Sequence, residues 1–480
     1  MTPGHNQSFT TREPAVLPSL RPSRIASVLA LAVAVTCAQG QTPTPTEAEL
    51  ARKLDQLAAE LAAVKAQLAT LQQQRAAQAA QSPGTAAQAA QSPGTAAQTA
   101  QAPASAASAP PGSAASAQPP AAPITAEAAA AGGPSTVLSG YAEINYNRPT
   151  QQTENAQADL RRFVLGMQHR FSPTTKMVGE IEVEHGVSSA DDPGEVEIEQ
   201  AYIEHQLGRT WGVRGGLFLI PAGLLNENHE PTAYYGVERN FVETAIIPST
   251  WREGGVQFVG QFDNGITLQT GISTGFDINK WDATSTEGRE SPLGSIHQEM
   301  ALAKARDLSL FGAVNWRGMP GVLVGGSVFS GNATQGQVPT TSRVTLWDAH
   351  ARWTPGRWDL SALYARGTIS DTAALNAPLV GNPTLIPSAF DGYYVQGAYK
   401  VWSRQDYALS PFVRWERFNT GKSYADLGPG LTPPALPTET VWTAGANFQV
   451  TPGVVVKADY QWFSVNKNSN RFDLGLGWSF

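Results

Sequence analysis

The chain has 480 residues, 41% of them hydrophobic, and a formal net charge of −7. With a mean hydropathy of −0.22, this composition excludes a membrane protein built from many apolar helices. The acidic balance argues against a general nucleic-acid-binding protein. The 45 glycines and 34 prolines are typical of a chain with many turns. The length allows several soluble domains or one large architecture with extensions.

Residues 1–40 have the pattern of a secretory signal peptide. Arg21 and Arg24 precede an apolar run at 25–38, which suits a signal core but is too short to span a bilayer as a helix. Small residues follow at the expected cleavage site after Gly40. The single cysteine, Cys37, offers an alternative lipoprotein anchor, although the threonine before it fits that signal poorly. We expect export and a mature chain without disulfides.

Residues 41–75 predict a coiled-coil helix. Apolar residues recur at alternating spacings of four and three, which is an a/d heptad seam, and Thr46 with Glu49 forms a capping box before it. Glu60 and Lys65 could pair between parallel chains. A lone amphipathic helix on a domain surface is the alternative, but the strict seam favours self-association. The seam residues are Leu50, Leu54, Leu57, Leu61, Val64, Leu68 and Leu71.

Residues 76–134 predict a low-complexity linker. The sequence AAQAAQSPGT occurs at 76–85 and again at 86–95, and no charged residue appears from 76 to 126. Such a segment cannot bury enough apolar surface to fold by itself. We expect a partly extended tether between the helix and the rest of the chain.

Residues 135–480 contain sixteen strand-like runs, most of them 9 to 13 residues long, which is the length that a tilted strand needs to cross a bilayer. Several alternate cleanly between apolar and polar residues. The predicted strands are 137–147, 160–171, 177–187, 194–207, 210–220, 254–262, 266–276, 306–317, 321–331, 343–353, 358–369, 391–402, 407–418, 438–450, 454–465 and 471–480.

The connections between these runs alternate between short turns and longer polar loops, which is the pattern of an up-and-down barrel. The predicted fold class is therefore all-β: a transmembrane antiparallel up-and-down β-barrel of about sixteen strands, with an N-terminal helical coiled coil. Charged side chains at alternate strand positions are expected to face a lumen. Tryptophans near strand ends fit interfacial girdles. They are Trp347, Trp353, Trp358, Trp402, Trp415, Trp442, Trp462 and Trp478.

The C-terminal sequence RFDLGLGWSF alternates apolar with small or polar side chains up to Phe480. We predict that its apolar face contacts lipid. A terminal aromatic after such a strand resembles the signal that barrel-assembly machinery reads, so Trp478 and Phe480 are the candidate assembly residues.

Residues 221–253, between the fifth and sixth predicted strands, read PAGLLNENHEPTAYYGVERNFVETAIIPSTWRE and lead into a glycine-rich strand. This stretch resembles the phosphate-selective porin O and P family. The run LRRFVLGMQHRF at 160–171 is similar to that family's paired-arginine strand, with Arg161 and Arg162 at the matching positions. The resemblance covers roughly 140–275, and the closing strand is again porin-like.

The resemblance implies a sixteen-stranded homotrimeric porin whose third long loop narrows the pore. Phosphate selectivity would need a dense set of basic groups, whereas this loop is rich in glutamate. Its acidic charges would instead form a transverse electric field across the pore, opposite Arg161 and Arg162. The alternative is that Arg239, Arg252 and Glu253 pair with one another and only hold the loop in place. The candidate pore residues are Arg161, Arg162, Glu227, His229, Glu230, Glu238, Arg239, Glu243, Arg252 and Glu253.

Catalytic and metal-binding patterns do not fit their required contexts. GISTG at 271–275 lies inside a predicted strand rather than at a strand-to-helix turn. TGKS at 420–423 lacks the glycine of a phosphate loop. The acidic segment 188–199 could hold Ca²⁺ or bridge lipopolysaccharide, but a solvated acidic loop is the favoured interpretation. We expect no enzyme activity, cofactor or metal.

The sequence thus predicts an outer-membrane porin of a Gram-negative bacterium that passes small hydrophilic or charged solutes, with phosphate and other anions as candidates. Its expected partners are outer-membrane lipid and lipopolysaccharide, two further copies of the chain and the assembly machinery, but not nucleic acid. Its N-terminal segment would lie in the periplasm. The alternative is a non-conducting barrel that anchors the membrane to peptidoglycan or a periplasmic partner through its coiled coil.

Overall fold

The computed structural model of the protein describes residues 134–189 and 192–480. The predicted signal peptide, the coiled-coil seam from Leu50 to Leu71 and the linker up to residue 133 lie outside the described residues. The domain boundaries drawn through them stay predictions.

The described chain is dominated by β-strands that run in sequence order around one sheet. They are β1 (Ser135–Pro149), β2 (Gln157–Ser172), β3 (Thr175–Glu184), β4 (Val196–Gln206), β5 (Trp211–Leu219), β6 (Arg252–Gln261), β7 (Ile266–Ser273), β8 (Ser309–Trp316), β9 (Val322–Asn332), β10 (Arg343–Trp353), β11 (Trp358–Ile369), β12 (Ala389–Tyr399), β13 (Trp402–Arg404), β14 (Tyr407–Ser423), β15 (Glu439–Thr451), β16 (Val454–Phe463) and β17 (Arg471–Ser479).

The sheet closes on itself because β1 pairs with both β2 and β17. The short β13 and the longer β12 pair with the same partner, β14, so together they occupy one position in the wall. The result is a closed antiparallel barrel of sixteen positions, which confirms the predicted fold class. The short turns lie at one end, here called the turn end, and the longer connections lie at the other, the loop end.

All sixteen predicted strands are confirmed, and the ranges of β10 and β11 match their predictions to the residue. The predicted strand 194–207 had an inconsistent alternation. The structure explains it by a β-bulge: Glu180 pairs with Gln200 and Ile181 pairs with Ile198, so Glu199 has no cross-strand partner. The extra residue reverses the alternation halfway along β4.

The two faces of the wall differ as a membrane barrel requires. On β17, Leu474 and Leu476 are exposed on the outer face, while Asp473 on the inner face is fully buried. Apolar and polar residues alternate in the same way on the other strands, so the wall presents apolar side chains outward and polar ones inward. Among the described residues, no helix is long and apolar enough to cross a membrane.

Loop segments fill one side of the lumen. The rings of Trp251, Phe276 and Phe329 pack together with centroids 4.6 to 5.4 Å apart, and they join a buried cluster on the inner face of β8–β12. The polar space therefore lies against the opposite wall, β17 and β1–β4. The short helical segments are Thr153–Asn155, Val242–Ile246, Ile278–Lys280, Glu287–Glu290, Gly294–Ile296, Thr372–Asn376, Ala377–Leu379 and Lys467–Ser469.

Candidate functional site

The connection at 220–251 between β5 and β6 folds into the lumen and reaches the wall opposite its own strands. The Tyr234 hydroxyl donates a hydrogen bond of 2.7 Å to Glu143 on β1. The backbone N–H of Val237 donates one of 2.6 Å to Asp459 on β16. Both strands flank β17 in the closed sheet and lie away from β5 and β6, so the loop crosses the barrel interior.

A second set of contacts holds the π-helical turn of this loop. The backbone N–H of Phe241 donates to Glu416 on β14 at 2.6 Å. Glu243, which is 2% exposed, accepts hydrogen bonds from the Leu225 N–H at 2.7 Å and from the Tyr394 hydroxyl at 2.9 Å. Glu243 was predicted as a pore residue, but its carboxylate is used to fix the loop.

A polar cavity of about 700 Å³ lies on the loop-end side of the 220–251 loop, against β17 and β1–β4. It contains groups of both charges and collects five predicted pore residues: Arg161, Arg162, Glu238, Arg239 and Arg252. Its other charged lining residues are Glu143, Glu184, Glu195, Glu197, His297, Glu299 and Arg471.

Arg162 and Arg161 have different roles although they are adjacent. Arg162 is buried and forms ion pairs with Glu143 at 2.8 Å, Glu182 at 3.1 Å and Glu184 at 3.4 Å. The Arg161 side chain is 41% exposed and lies 3.9 Å from the Asp159 carboxylate on the same strand. Arg162 therefore stabilises the wall, whereas Arg161 presents its charge to the cavity.

Arg239 is the second cation available to a solute. It is 8% exposed, and its guanidinium donates to the Ser249 hydroxyl at 2.5 Å and to the His229 carbonyl at 3.3 Å. Within the described ranges, no carboxylate lies at ion-pair distance from it. The alternative pairing of Arg239 with Glu253 does not occur in this part of the chain.

Arg252 at the start of β6 forms ion pairs with Glu197 and, at 3.0 Å, with Glu299. His297 Nδ1 lies 3.1 Å from the same Glu299 carboxylate. Burial raises the pKa of Glu299, but His297, Arg252 and Lys280 outweigh it and leave the pKa below its usual value. The loop 274–308 thus contributes two cavity residues that the sequence did not identify.

Glu253, which follows Arg252 in sequence, does not line this cavity. It is fully buried and accepts hydrogen bonds from the Trp251 indole at 3.2 Å and from the Thr274 hydroxyl at 2.5 Å. Its carboxylate ties the end of the loop to the next one.

A smaller cavity of about 430 Å³ lies on the turn-end side of the loop. It is lined by the remaining predicted pore residues, Glu227, His229 and Glu230. Glu227 accepts a hydrogen bond of 2.8 Å from Gln269, and His229 lies 3.6 Å from Glu199. Eight of the ten predicted pore residues therefore line one of two cavities on opposite sides of the loop, whereas Glu243 and Glu253 line neither.

A packed layer separates the two cavities. Tyr141 and His229 meet edge to face with ring centroids 5.6 Å apart, and both are buried. Glu182 and Glu199 are fully buried at this level. The alternation of β3 places Glu182 on the lumen face, but Glu199 was not identified from the sequence, because the bulge in β4 hides which face it occupies.

The motifs that suggested chemistry lie in strands or at strand ends. GISTG runs through the end of β7, and TGKS is the end of β14. Within 134–189 and 192–480, no group of three or more His, Cys, Asp or Glu side chains is arranged to hold a metal ion. The candidate assembly residues Trp478 and Phe480 lie at the turn end, where β17 meets β1.

A closed sixteen-position barrel with a polar lumen and an inward loop is the architecture of a porin. The sequence profile of the family "Phosphate-selective porin O and P" matches residues 327–473. The family recognised from the sequence is thereby confirmed, although the match lies in β9–β17 and not in the stretch 140–275 on which the resemblance was based.

The chain is also similar to one further sequence and to solved barrel structures. An uncharacterized protein of Aquifex aeolicus (strain VF5) is 27% identical over 354 residues, which cover 72% of this chain and 79% of the relative. The structure of Salmonella typhi OmpF in complex with daunomycin is similar in fold, with a TM-score of 0.50, 13% identity, and coverage of 72% of this chain and 97% of OmpF. The anion-selective porin from Comamonas acidovorans has a TM-score of 0.46 at 10% identity over 72% of this chain and 100% of that protein. The family match and the fold support an outer-membrane channel for small solutes.

Proposed function

We propose that this chain forms a water-filled channel through the outer membrane, in which the 220–251 loop is the constriction. The observation that supports this most directly is the position of the loop, which is fastened to both sides of the wall between two polar cavities. A solute would enter the loop-end cavity, pass the layer of Tyr141 and His229, and leave through the turn-end cavity.

The charges of the loop-end cavity favour solutes that carry both signs or a single negative charge. Arg239 has no ion-pair partner among the described residues and Arg161 has one long pair, with Asp159, while Glu195 and Glu238 line the same cavity. A phosphate dianion would need several converging basic groups to replace its hydration. We therefore propose mixed-charge selectivity in place of a phosphate-specific site.

The turn end would face the periplasm, where the tether and predicted coiled coil precede β1, and the loop end would face the exterior. We propose a homotrimer held in the outer membrane by lipid and lipopolysaccharide, with Trp478 and Phe480 read by the barrel-assembly machinery. The apolar outer face and the C-terminal aromatic strand support this placement.

One observation favours the alternative of a non-conducting anchor: the layer between the cavities is closely packed. Planar-bilayer recording separates the two functions. The purified wild type should give discrete conductance steps, weakly selective in a KCl gradient and unblocked by phosphate. Tyr141→Ala should increase the conductance, because it removes a lumen-facing ring from the layer.

Two results would change the proposal. Strong anion selectivity with phosphate block would favour a phosphate porin. Silence of both proteins in many insertions would favour the anchor. A deletion of residues 41–130 is the matched control, since a channel should keep its conductance without them and an anchor should lose its function.

A further inference from the structure

A group of buried oxygens in the layer between the two cavities lacks hydrogen-bond partners. Both carboxylate oxygens of Glu182, both of Glu199 and the hydroxyl of Tyr141 are buried, and none of the five is hydrogen-bonded within the described residues. Buried polar atoms are nearly always hydrogen-bonded in folded proteins, because each unpaired one costs free energy. We call these three residues the acceptor cluster, since a group with several N–H donors would satisfy it.

The positive charge near the acceptor cluster does not balance its negative charge. Arg162 reaches Glu182 at 3.1 Å, but it is shared with two further carboxylates of the wall. Glu199 faces the His229 ring at 3.6 Å, which is longer than a hydrogen bond. Along the described chain, no other cationic side chain lies at ion-pair distance from either carboxylate of the cluster. Buried carboxylates without a matching charge are costly, so the cluster favours a group that brings positive charge.

The acceptor cluster can be reached from the turn-end cavity. Tyr141 lines that cavity together with Glu180 and Glu230. The Tyr141 hydroxyl makes no hydrogen bond whose loss would oppose a movement of the ring, and the ring itself packs edge to face on His229. A solute that displaces this ring meets the two carboxylates behind it. The carboxylates that line the approach attract cations and repel anions.

We propose that the acceptor cluster is the subsite for the ammonium group of an organic solute. An ammonium group carries one positive charge and up to three N–H donors, and it has no acceptor. It can donate to the carboxylates of Glu182 and Glu199 and to the hydroxyl oxygen of Tyr141 at the same time. A phosphate or an isolated carboxylate has no donor to offer and is repelled by the cluster.

Arg239 extends the subsite to solutes that carry both charges. Its guanidinium donates to the backbone carbonyl of His229 at 3.3 Å, and the ring of the same histidine faces Glu199 at 3.6 Å. One residue of the loop therefore separates the free cation on the loop-end side from the acceptor cluster. A solute whose carboxylate and ammonium group are joined by several carbon atoms can contact both. We therefore expect lysine, other long-chain amino acids and short peptides as the solute class.

The inference rests on the proposed function in that the solute enters along the lumen, but binding does not require conduction. The first test is therefore calorimetric titration of the detergent-solubilised full-length protein at neutral pH and low salt. The probes are ε-aminocaproate, which has both charges, cadaverine, which has only ammonium groups, and caproate, which has only the carboxylate. The wild type should bind ε-aminocaproate and cadaverine and should not bind caproate.

Glu199→Gln keeps the shape of the side chain and removes its charge. It should weaken the binding of both amines by about tenfold or more, because it loses a charge-assisted hydrogen bond. Glu182→Gln should do the same, so the result does not depend on the folding of one variant. Arg239→Gln should weaken ε-aminocaproate but not cadaverine. Glu154→Gln removes the same charge from the exposed loop before β2 and is the matched control.

Two results would overturn the subsite: no binding of either amine by the wild type, or equal affinities in the wild type and Glu199→Gln. A shared proton or ordered water would then satisfy the buried oxygens. Planar-bilayer recording completes the test, since cadaverine should interrupt the KCl current of the wild type at lower concentrations than that of Glu199→Gln. Conductance without amine binding would leave the channel standing and remove the subsite. Amine binding by a protein that does not conduct would do the reverse.

Discussion

Gly140 and Phe480 close the barrel. The Gly140 N–H donates to the Phe480 carbonyl at 3.1 Å, and the Phe480 N–H donates back to the Gly140 carbonyl at 2.9 Å. A Cβ at position 140 would lie 2.9 Å from the Phe480 ring and 2.5 Å from the carbonyl oxygen of Val164. The last residue of the chain therefore completes the sheet only because β1 has a glycine opposite it.

Gly140→Ala should destabilise the closed barrel by about 1–3 kcal/mol, because the new methyl group overlaps backbone that cannot move freely. The free energy of unfolding in phospholipid vesicles, measured by urea titration, tests this. Gly215→Ala on β5 is the control, since no atom lies within 4 Å of the Cβ it would add. Equal stability of the two variants would show that the closure tolerates a side chain.

Glu243→Ala should loosen the 220–251 loop. The variant leaves the N–H of Leu225 and the hydroxyl of Tyr394 without their buried acceptor, at a cost of about 2–4 kcal/mol for the pair. We expect larger and noisier single-channel conductance, measured in a planar bilayer. Glu287→Ala in an exposed part of the 274–308 loop should behave as wild type. An unchanged conductance for Glu243→Ala would mean that the loop does not set the pore size.

Arg161→Glu should shift the channel towards cations. The reversal changes the cavity by two charges, which at about 8 Å in water corresponds to about 1 kcal/mol, or about a fivefold change in relative permeability at low salt. The reversal potential in a KCl gradient measures it. Arg357→Glu makes the same charge change in a turn-end loop between β10 and β11 and should leave the potential nearly unchanged. The same shift in both variants would argue against a selective cavity.

The ion pairs of Glu299 should make stability depend on pH. The folded-state pKa of Glu299 is lowered, so its contribution is complete above the unfolded pKa of about 4.3 and is lost as the pH falls through the folded value. Glu299→Gln should cost about 1–2 kcal/mol at pH 7, and the difference from wild type should shrink below about pH 4. Unfolding titrations at several pH values test this against Glu154→Gln in the exposed loop before β2. If Glu299→Gln remains less stable than wild type at acid pH, the loss of stability comes from packing and not from the ion pairs.

The wall could be predicted from the sequence and the lumen largely could not. Strands such as β10 and β11 are determined by local alternation, which the bilayer outside and water inside impose residue by residue. The roles of Glu243 and Glu253 depend on which buried donors lie near them, and no local pattern contains that information. Glu299 lies 47 residues after Arg252 in sequence, and only the folded loops bring the two together.

The bulge at Glu199 is intermediate between the wall, which could be predicted, and the lumen, which largely could not. The alternation of the sequence breaks where the bulge occurs, but the break does not show that the extra residue is buried beside Glu182 and His229. A sequence pattern that fails inside an otherwise regular strand was therefore an indicator of the lumen site.

The anchoring of the 220–251 loop has a consequence for biogenesis. Its Phe241 N–H and Val237 N–H bind carboxylates that occur 175 and 222 residues later in the chain. The loop therefore lacks these hydrogen-bond acceptors until β14 and β16 are in the sheet. Narrowing of the lumen and completion of the wall are therefore coupled.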